Sequence, residues 1–185
     1  MVDPAKGGRR HDRDRRARCA RSADGGAVVS PRGAARWAIV HDTVRQVEDQ
    51  LAGRGGALRD APLDLPAGAA EATGGAPDLV VVAPGARPDD RGHWAWPDLE
   101  AVLEVVPAAG PGGWAVERLR RYAERGVPVY VVVDPAEGVS TVHTDPHPAG
   151  VYHLAERVPF GEDLNLGLTG RTLVVATGAF PRDPA

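Results

Sequence analysis

Apolar positions recur along this chain in two rhythms. Between residues 37 and 51, Trp37, Val40, Val44, Val47 and Leu51 follow one another at intervals of three, four, three and four. That spacing draws one stripe along an α-helix, with Arg36, Asp42, Arg45, Glu48 and Asp49 off it. Gly53 and Gly55-Gly56 end the helix. A second helix is expected over roughly 114–125, with Val116, Leu119, Tyr122 and Ala123 on one face and Gly126 as its cap. The other rhythm is continuous. Leu79–Ala83, Leu99–Val106 and Val127–Val133 are short apolar runs between turn residues, which predicts strands buried on both faces.

The C-terminal part alternates instead. Val139–His143 and Val151–Leu154 flank a Pro-Ala-Gly turn and predict a hairpin, and Leu164–Leu168 and Thr172–Val175 predict further strands. Ala27–Val29 is a short apolar stretch before Ser30-Pro31. Residues 52–76 read as a long loop with at most one short strand, residues 84–97 as turns and 177–185 as a frayed tail. The expected class is α/β (α+β): a central mixed β-sheet flanked by helices, with antiparallel strands at the C-terminal end.

Composition bounds this picture. The chain has 185 residues, 43% hydrophobic and 25% charged. That is enough for one ordinary domain with a real core, and it excludes wholesale disorder. The longest apolar runs fall far short of the roughly 20 residues that span a bilayer, and the basic N-terminus has no apolar stretch behind it to act as a secretory signal. With only Cys19 there is neither an intramolecular disulfide nor a multi-cysteine zinc site, which suits a cytoplasmic location. Residues 1–22 carry eight cations and three anions, a net of +5, and the remaining residues carry 14 cations and 22 anions, a net of −8. The expected organisation is therefore a basic, solvated arm over 1–22, one domain over 23–176 and a tail over 177–185. An acidic body does not advertise general affinity for nucleic acid. Among the 22 cationic residues Lys6 is the one lysine, so the body must do its chemistry with arginine.

Two acidic residues stand out by position. Asp78 opens one apolar run in the string APDLVVVA, and Glu104 sits inside another in LEAVLEVVP. Charges inside such runs are paired or hold a metal. On pattern alone two readings stay open. Asp78 caps a turn while Glu104 pairs with an arginine, or the two carboxylates on neighbouring strands hold a hard cation such as Mg²⁺.

The segment Pro77–Asp134 resembles the bacterial Uma-two family of restriction-endonuclease-like proteins, which have the PD-(D/E)xK nuclease fold. The matching strings are PDLVVVA at 77–83, VLEVVP at 102–107, RYAERGVPVYVVVD at 121–134 and VHTDP at 142–146, with DGGAVVSP at 24–31 as the opening. The resemblance implies a metal-dependent endonuclease acting on DNA, with Asp78 and Glu104 binding Mg²⁺ or Mn²⁺. It also implies a homodimer. The position at which the family usually places a catalytic lysine, 14 residues after the glutamate, holds Arg118. Arginine supplies charge and hydrogen bonds, but with a pKa above about 12 it is no base. The turn before Arg118 departs from the family pattern too, with Ala108–Gly113, Trp114 and Ala115 in place of a serine-rich turn and an Asp-Arg pair. The activity expected from the resemblance is thus a weakened endonuclease, and the alternative is a non-catalytic nucleic-acid-binding or assembly module on the same fold.

Other candidates rank lower. His143 and His147 have a ligand-like spacing but flank a Pro-rich turn. Gly110-Pro111-Gly112-Gly113 precedes a helix, as a phosphate cradle would, without a following Lys-Ser/Thr. Trp94 and Trp96 share one side of an extended segment, where packing competes with base stacking. Arg118, Arg120, Arg121 and Arg125 give the second helix a basic face, offset by Glu117 and Glu124.

Overall fold

The computed structural model describes residues 31–64, 75–106 and 114–183. Ala27–Val29, Gly110–Gly113, Cys19 and Lys6 lie outside the described residues. Helix α1 (Pro31–Leu51) is followed by strand β1 (Gly56–Arg59), β2 (Leu79–Val82), a 3₁₀ turn (Trp96–Asp98), β3 (Leu99–Val105), helix α2 (Trp114–Glu124), β4 (Val129–Asp134), β5 (Val139–His147), β6 (Val151–Pro159), β7 (Asp163–Leu168) and β8 (Arg171–Ala176). Six strands form one sheet in the order β1-β2-β3-β4-β5-β6, and β7 and β8 pair by themselves. Among the described strands the β3–β4 pair alone is parallel, joined by the crossover that contains α2; the other strand pairs are antiparallel. The sheet is therefore mixed, and the chain is α+β.

The continuous apolar runs are explained by apolar layers on both faces of the sheet. Leu79 and Val81 of β2, Ala101, Leu103 and Val105 of β3, and Val129, Val131 and Val133 of β4 pack with Ile39, Val47 and Leu51 of α1 and with Leu164, Leu166, Leu173 and Val175 of the β7–β8 pair. Val80, Val82, Val102 and Tyr130 face the other way, with Tyr122 of α2 and Trp96. Alternate side chains of a strand point to opposite faces, so a strand between two layers is apolar at every position.

Helix α1 covers the edge of β8 by an unusual device. The Gln46 side chain donates to the Ala176 carbonyl at 3.0 Å and accepts from the Ala176 amide at 2.8 Å. Gln50 does the same at Val174, at 2.7 and 2.8 Å. Four residues of helix rise about 6 Å and two residues of strand about 6.8 Å, so the two amides match the spacing of the outward-facing peptide groups. Two helical side chains thus stand in for a neighbouring strand and satisfy an otherwise open edge.

Three expectations change. Trp37 is 61% exposed and Val116 is 71% exposed. The buried stripe of α1 runs through Ala35, Ile39, Thr43, Val47 and Leu51 at intervals of four, with Val40 beside it; this leaves Trp37 on the flank, beyond the reach of the sheet. In α2 the buried face carries Arg118, Arg121, Tyr122 and Ala123, because the sheet beneath it offers a carboxylate. The segment after 176 is packed rather than frayed through 183. Thr177 and Phe180 are buried, Arg182 donates to the Glu137 carbonyl at 3.1 Å and the Asp183 amide donates to that of Pro135 at 3.0 Å. Among the described residues no helix is long and apolar enough to cross a membrane.

Candidate functional site

Antiparallel pairing sets Leu79 opposite Leu103. One step further along the register, Asp78 comes opposite Glu104, so the two carboxylates singled out by pattern are neighbours. Both are buried, and each is already engaged. Asp78 Oδ2 accepts the Val105 backbone N–H at 2.8 Å. Its Oδ1 accepts from Arg36 of α1, from Nε at 2.8 Å and again from Nη2. This joins the N-terminal helix to the end of β3.

Glu104 has a fuller set of donors. Arg118 Nη1 lies 2.9 Å from Glu104 Oε1, between side chains that are 5% and 2% exposed. The Tyr122 hydroxyl donates to the same oxygen at 2.9 Å, and the Tyr130 hydroxyl donates to Oε2 at 2.9 Å. Arg118 also donates to the Tyr122 hydroxyl at 3.1 Å. The placement is local in origin. Arg118 and Tyr122 are one helical turn apart and share a face, while Tyr130 precedes Val132, the β4 residue that pairs with Glu104.

Burial pushes the Glu104 pKa above its ordinary value; the Arg118 charge and the two tyrosine hydrogen bonds oppose that rise, and the Asp78 charge adds to it. Burial, reinforced by Glu104, likewise raises both phenols. These tyrosines therefore act as fixed donors. A carboxyl whose pKa is higher folded than unfolded binds more protons in the folded state. Its contribution to stability is complete below the ordinary glutamate value of 4.5 and is lost as pH rises through the raised folded value. Urea unfolding from pH 4 upward should thus show a decline in stability that is absent in Glu104→Gln, whatever offset that substitution introduces. Parallel curves for the two proteins would contradict this.

The cation implied by the sequence resemblance can be tested against these donors. Mg²⁺ and Mn²⁺ need several hard oxygens able to turn their lone pairs to the metal. Here two guanidinium groups, a backbone amide and two hydroxyls hold the four carboxylate oxygens, and each carboxylate has its own arginine. Among the described residues no group of three His, Cys, Asp or Glu side chains is placed to hold a metal ion. The arrangement does not fit a divalent cation.

The lesser candidates resolve as structure. Arg120 is ion-paired with Glu117 at 3.0 Å and with Glu124 at 2.8 Å, Arg121 is buried and the Arg125 guanidinium lies 5.5 Å from the Trp96 ring. The expected basic face of α2 is therefore not an open one. Trp96 is buried and donates through Nε1 to the Asp64 carbonyl at 2.8 Å, and Trp94 packs against the same apolar cluster. His143 stacks on Tyr130, whereas His147 accepts the Ala149 amide and lies by His153, so the two do not converge. Sequence reasoning missed Arg36, whose role depends on a contact 42 residues away. It also missed Tyr122 and Tyr130 as partners of Glu104; the signal available was two tyrosines near a buried acid that needs donors.

A family model described as "Uma2: Putative restriction endonuclease" matches residues 9–176. The match begins within the basic segment, ahead of the first quoted motif at residue 24. No curated protein matches the chain significantly. Among solved structures, the crystal structure of a "putative nuclease belonging to DUF820" from Anabaena variabilis ATCC 29413 superimposes with a TM-score of 0.55 at 12% identity, over 76% of this chain and 78% of the other. At that identity the likeness is one of fold.

Proposed function

Because the chain belongs to the Uma2 family, we propose that it is a nucleic-acid-binding protein on a restriction-endonuclease-like core, and that it does not cleave phosphodiesters through a metal at Asp78 and Glu104. One observation carries the second half: each carboxylate is neutralised by an arginine, Asp78 by Arg36 and Glu104 by Arg118. Hydrolysis by a carboxylate-bound metal needs those charges for the cation. It also needs a group that can take a proton from water, and Arg118 cannot. In this arrangement Asp78 joins α1 to the sheet, and Glu104, Arg118, Tyr122 and Tyr130 hold α2 on it.

A metal-dependent endonuclease weakened by Arg118 is the second reading, favoured by the register that sets Asp78 opposite Glu104. Incubation of the purified full chain with single-stranded and duplex DNA, in Mg²⁺ or Mn²⁺, separates the two. The expected result is no cleavage above that of Asp78→Ala and Glu104→Ala, no heat of Mn²⁺ binding by calorimetry, and no gain in Arg118→Lys. Mn²⁺-dependent cutting that disappears in both alanine variants would establish the second reading instead.

A further inference from the structure

Beside Arg36, between the helix α1 and the end of the edge strand β1, lies an open cleft of about 440 Å³, lined by Arg36, Trp37, Arg59, Asp60 and Asp78 among others. It adjoins a second cleft of about 620 Å³ along α1, which shares Arg59 and Asp60 and includes His41. Both volumes lie in the range of small-ligand sites. Neither the carboxylate site nor the core explains Trp37. Its indole is 61% exposed and stacks flat on the His41 ring, with centroids 4.9 Å apart and planes 5° from parallel. Arg36 is anchored through Nε and Nη2 to a single oxygen of Asp78, which fixes its guanidinium at the cleft wall while its side chain stays 49% exposed. A guanidinium has five donor hydrogens, so this anchoring leaves others for a ligand. Arg59, at the end of β1, is exposed and lines the same cleft.

From this juxtaposition we infer that the α1–β1 cleft binds an unpaired nucleoside 5′-phosphate unit, with the base stacked on Trp37, the phosphate at Arg36 and Arg59, and Asp60 accepting from an exocyclic amino group of the base. The inference rests on the nucleic-acid reading above and adds the ligand class and the residues that take it. Stacking on an aromatic ring suits any base, but it requires a base whose face is free, and a duplex hides its faces. The second cleft gives a strand room to continue along α1. The charges set the character of binding. Asp60 and Asp78 balance Arg36 and Arg59, so attraction to phosphate is modest and stacking dominates. Two phosphates at most are neutralised, which for a single strand corresponds to a shallow salt slope of about −1.4.

The test is fluorescence anisotropy of a labelled eight-nucleotide single strand with the full chain, competed by unlabelled duplex and by dAMP. Trp37→Ala should weaken strand binding by roughly ten-fold or more, with Trp37→Phe largely restoring it. The thermal midpoint should be unchanged in both, since the side chain is outside the core. Arg59→Ala should weaken binding and lower the salt slope by about 0.7. Duplex should compete poorly. Competition by dAMP at concentrations comparable to the strand assigns the site to the free nucleotide, and competition by strand alone assigns it to single-stranded nucleic acid. Strand binding indifferent to Trp37, or duplex binding as tight as single-strand binding, overturns the inference and leaves the nucleic-acid reading standing. No binding of either form by the unaltered protein overturns both.

Discussion

Arg118→Met should lower the stability of the folded chain by about 3–5 kcal/mol, the cost of breaking a buried ion pair from one side. In a domain of this size that corresponds to a fall of roughly 6–20 °C in melting temperature. The reason is the position of Glu104, which is 2% exposed. With Arg118 gone, its carboxylate keeps the two tyrosine hydroxyls but loses the guanidinium paired with it. It must then stay ionised without compensation or take up a proton, and either route costs folding free energy. The substitution also removes the donor that reaches the Tyr122 hydroxyl. Breaking the pair from both sides should behave differently. Measured in a Tyr122→Phe, Tyr130→Phe background, so that no buried hydroxyl is left without its acceptor, Glu104→Leu combined with Arg118→Met removes both charges of the pair, and replacing a buried pair by apolar groups of similar volume is often neutral or better. Urea unfolding of the two single variants and the double variant in that background gives the coupling directly. If the double variant is as unstable as Arg118→Met alone, the pairing is not what stabilises this region. The comparison also bears on function, because a protein that tolerates the apolar double variant and binds nucleic acid unchanged does not use this pair in binding.

A second large effect is expected at Arg171, at the start of β8. Its Nη2 donates to Glu100, and its Nη1 donates to the Arg54 carbonyl at 2.6 Å. The pair is nearly as buried as the first, with side chains 12% and 7% exposed. Glu100 can reach it because the β2–β3 register shifts between Val81 and Val82. Val81 pairs with Ala101 and Val82 with Leu99, so Glu100 is the extra residue of a bulge, a feature that re-aims a side chain. Gly55, next to the Arg54 carbonyl, has a φ of 106° and lies where a Cβ would sit 2.4 Å from the Val82 carbonyl oxygen; the close approach of this loop to the sheet requires glycine there. Arg171→Leu should therefore cost about 3 kcal/mol, the low end for breaking a buried pair. The loss should also be local. Hydrogen exchange of the β7–β8 amides should quicken more than that of β3 and β4, since Arg171 ties that hairpin to Glu100 of the sheet. Equal changes in both would count against this role.

How much of this was legible beforehand depends on the range of the interaction concerned. Strands β2, β3 and β4 could be read to within two residues, because burial on both faces writes itself into consecutive apolar residues. Asp78 and Glu104 could be singled out because a charge inside such a run has to be explained. Both open readings of that pair were sound chemistry, and the run alone could not separate them. Helix α1 was legible as a helix, but its buried face was not. Trp37 fits the apolar spacing as well as Ile39 does, and only the width of the sheet beneath leaves it outside. The basic face of α2 failed similarly. Arg118 and Arg121 look solvated on a helical wheel until Glu104 is placed under them.

The sequence by itself determined the elements, the family and the absence of a lysine from the body, since these depend on local periodicity, on strings of residues and on counting. The tertiary structure alone decided that Arg36 closes on Asp78 and Arg118 on Glu104. An ion pair between elements depends on which faces meet across the sheet, and neighbours in the chain do not encode that. The same is true of the cleft beside Trp37, whose lining residues on α1 and β1 are far apart in the chain and meet only in the folded protein.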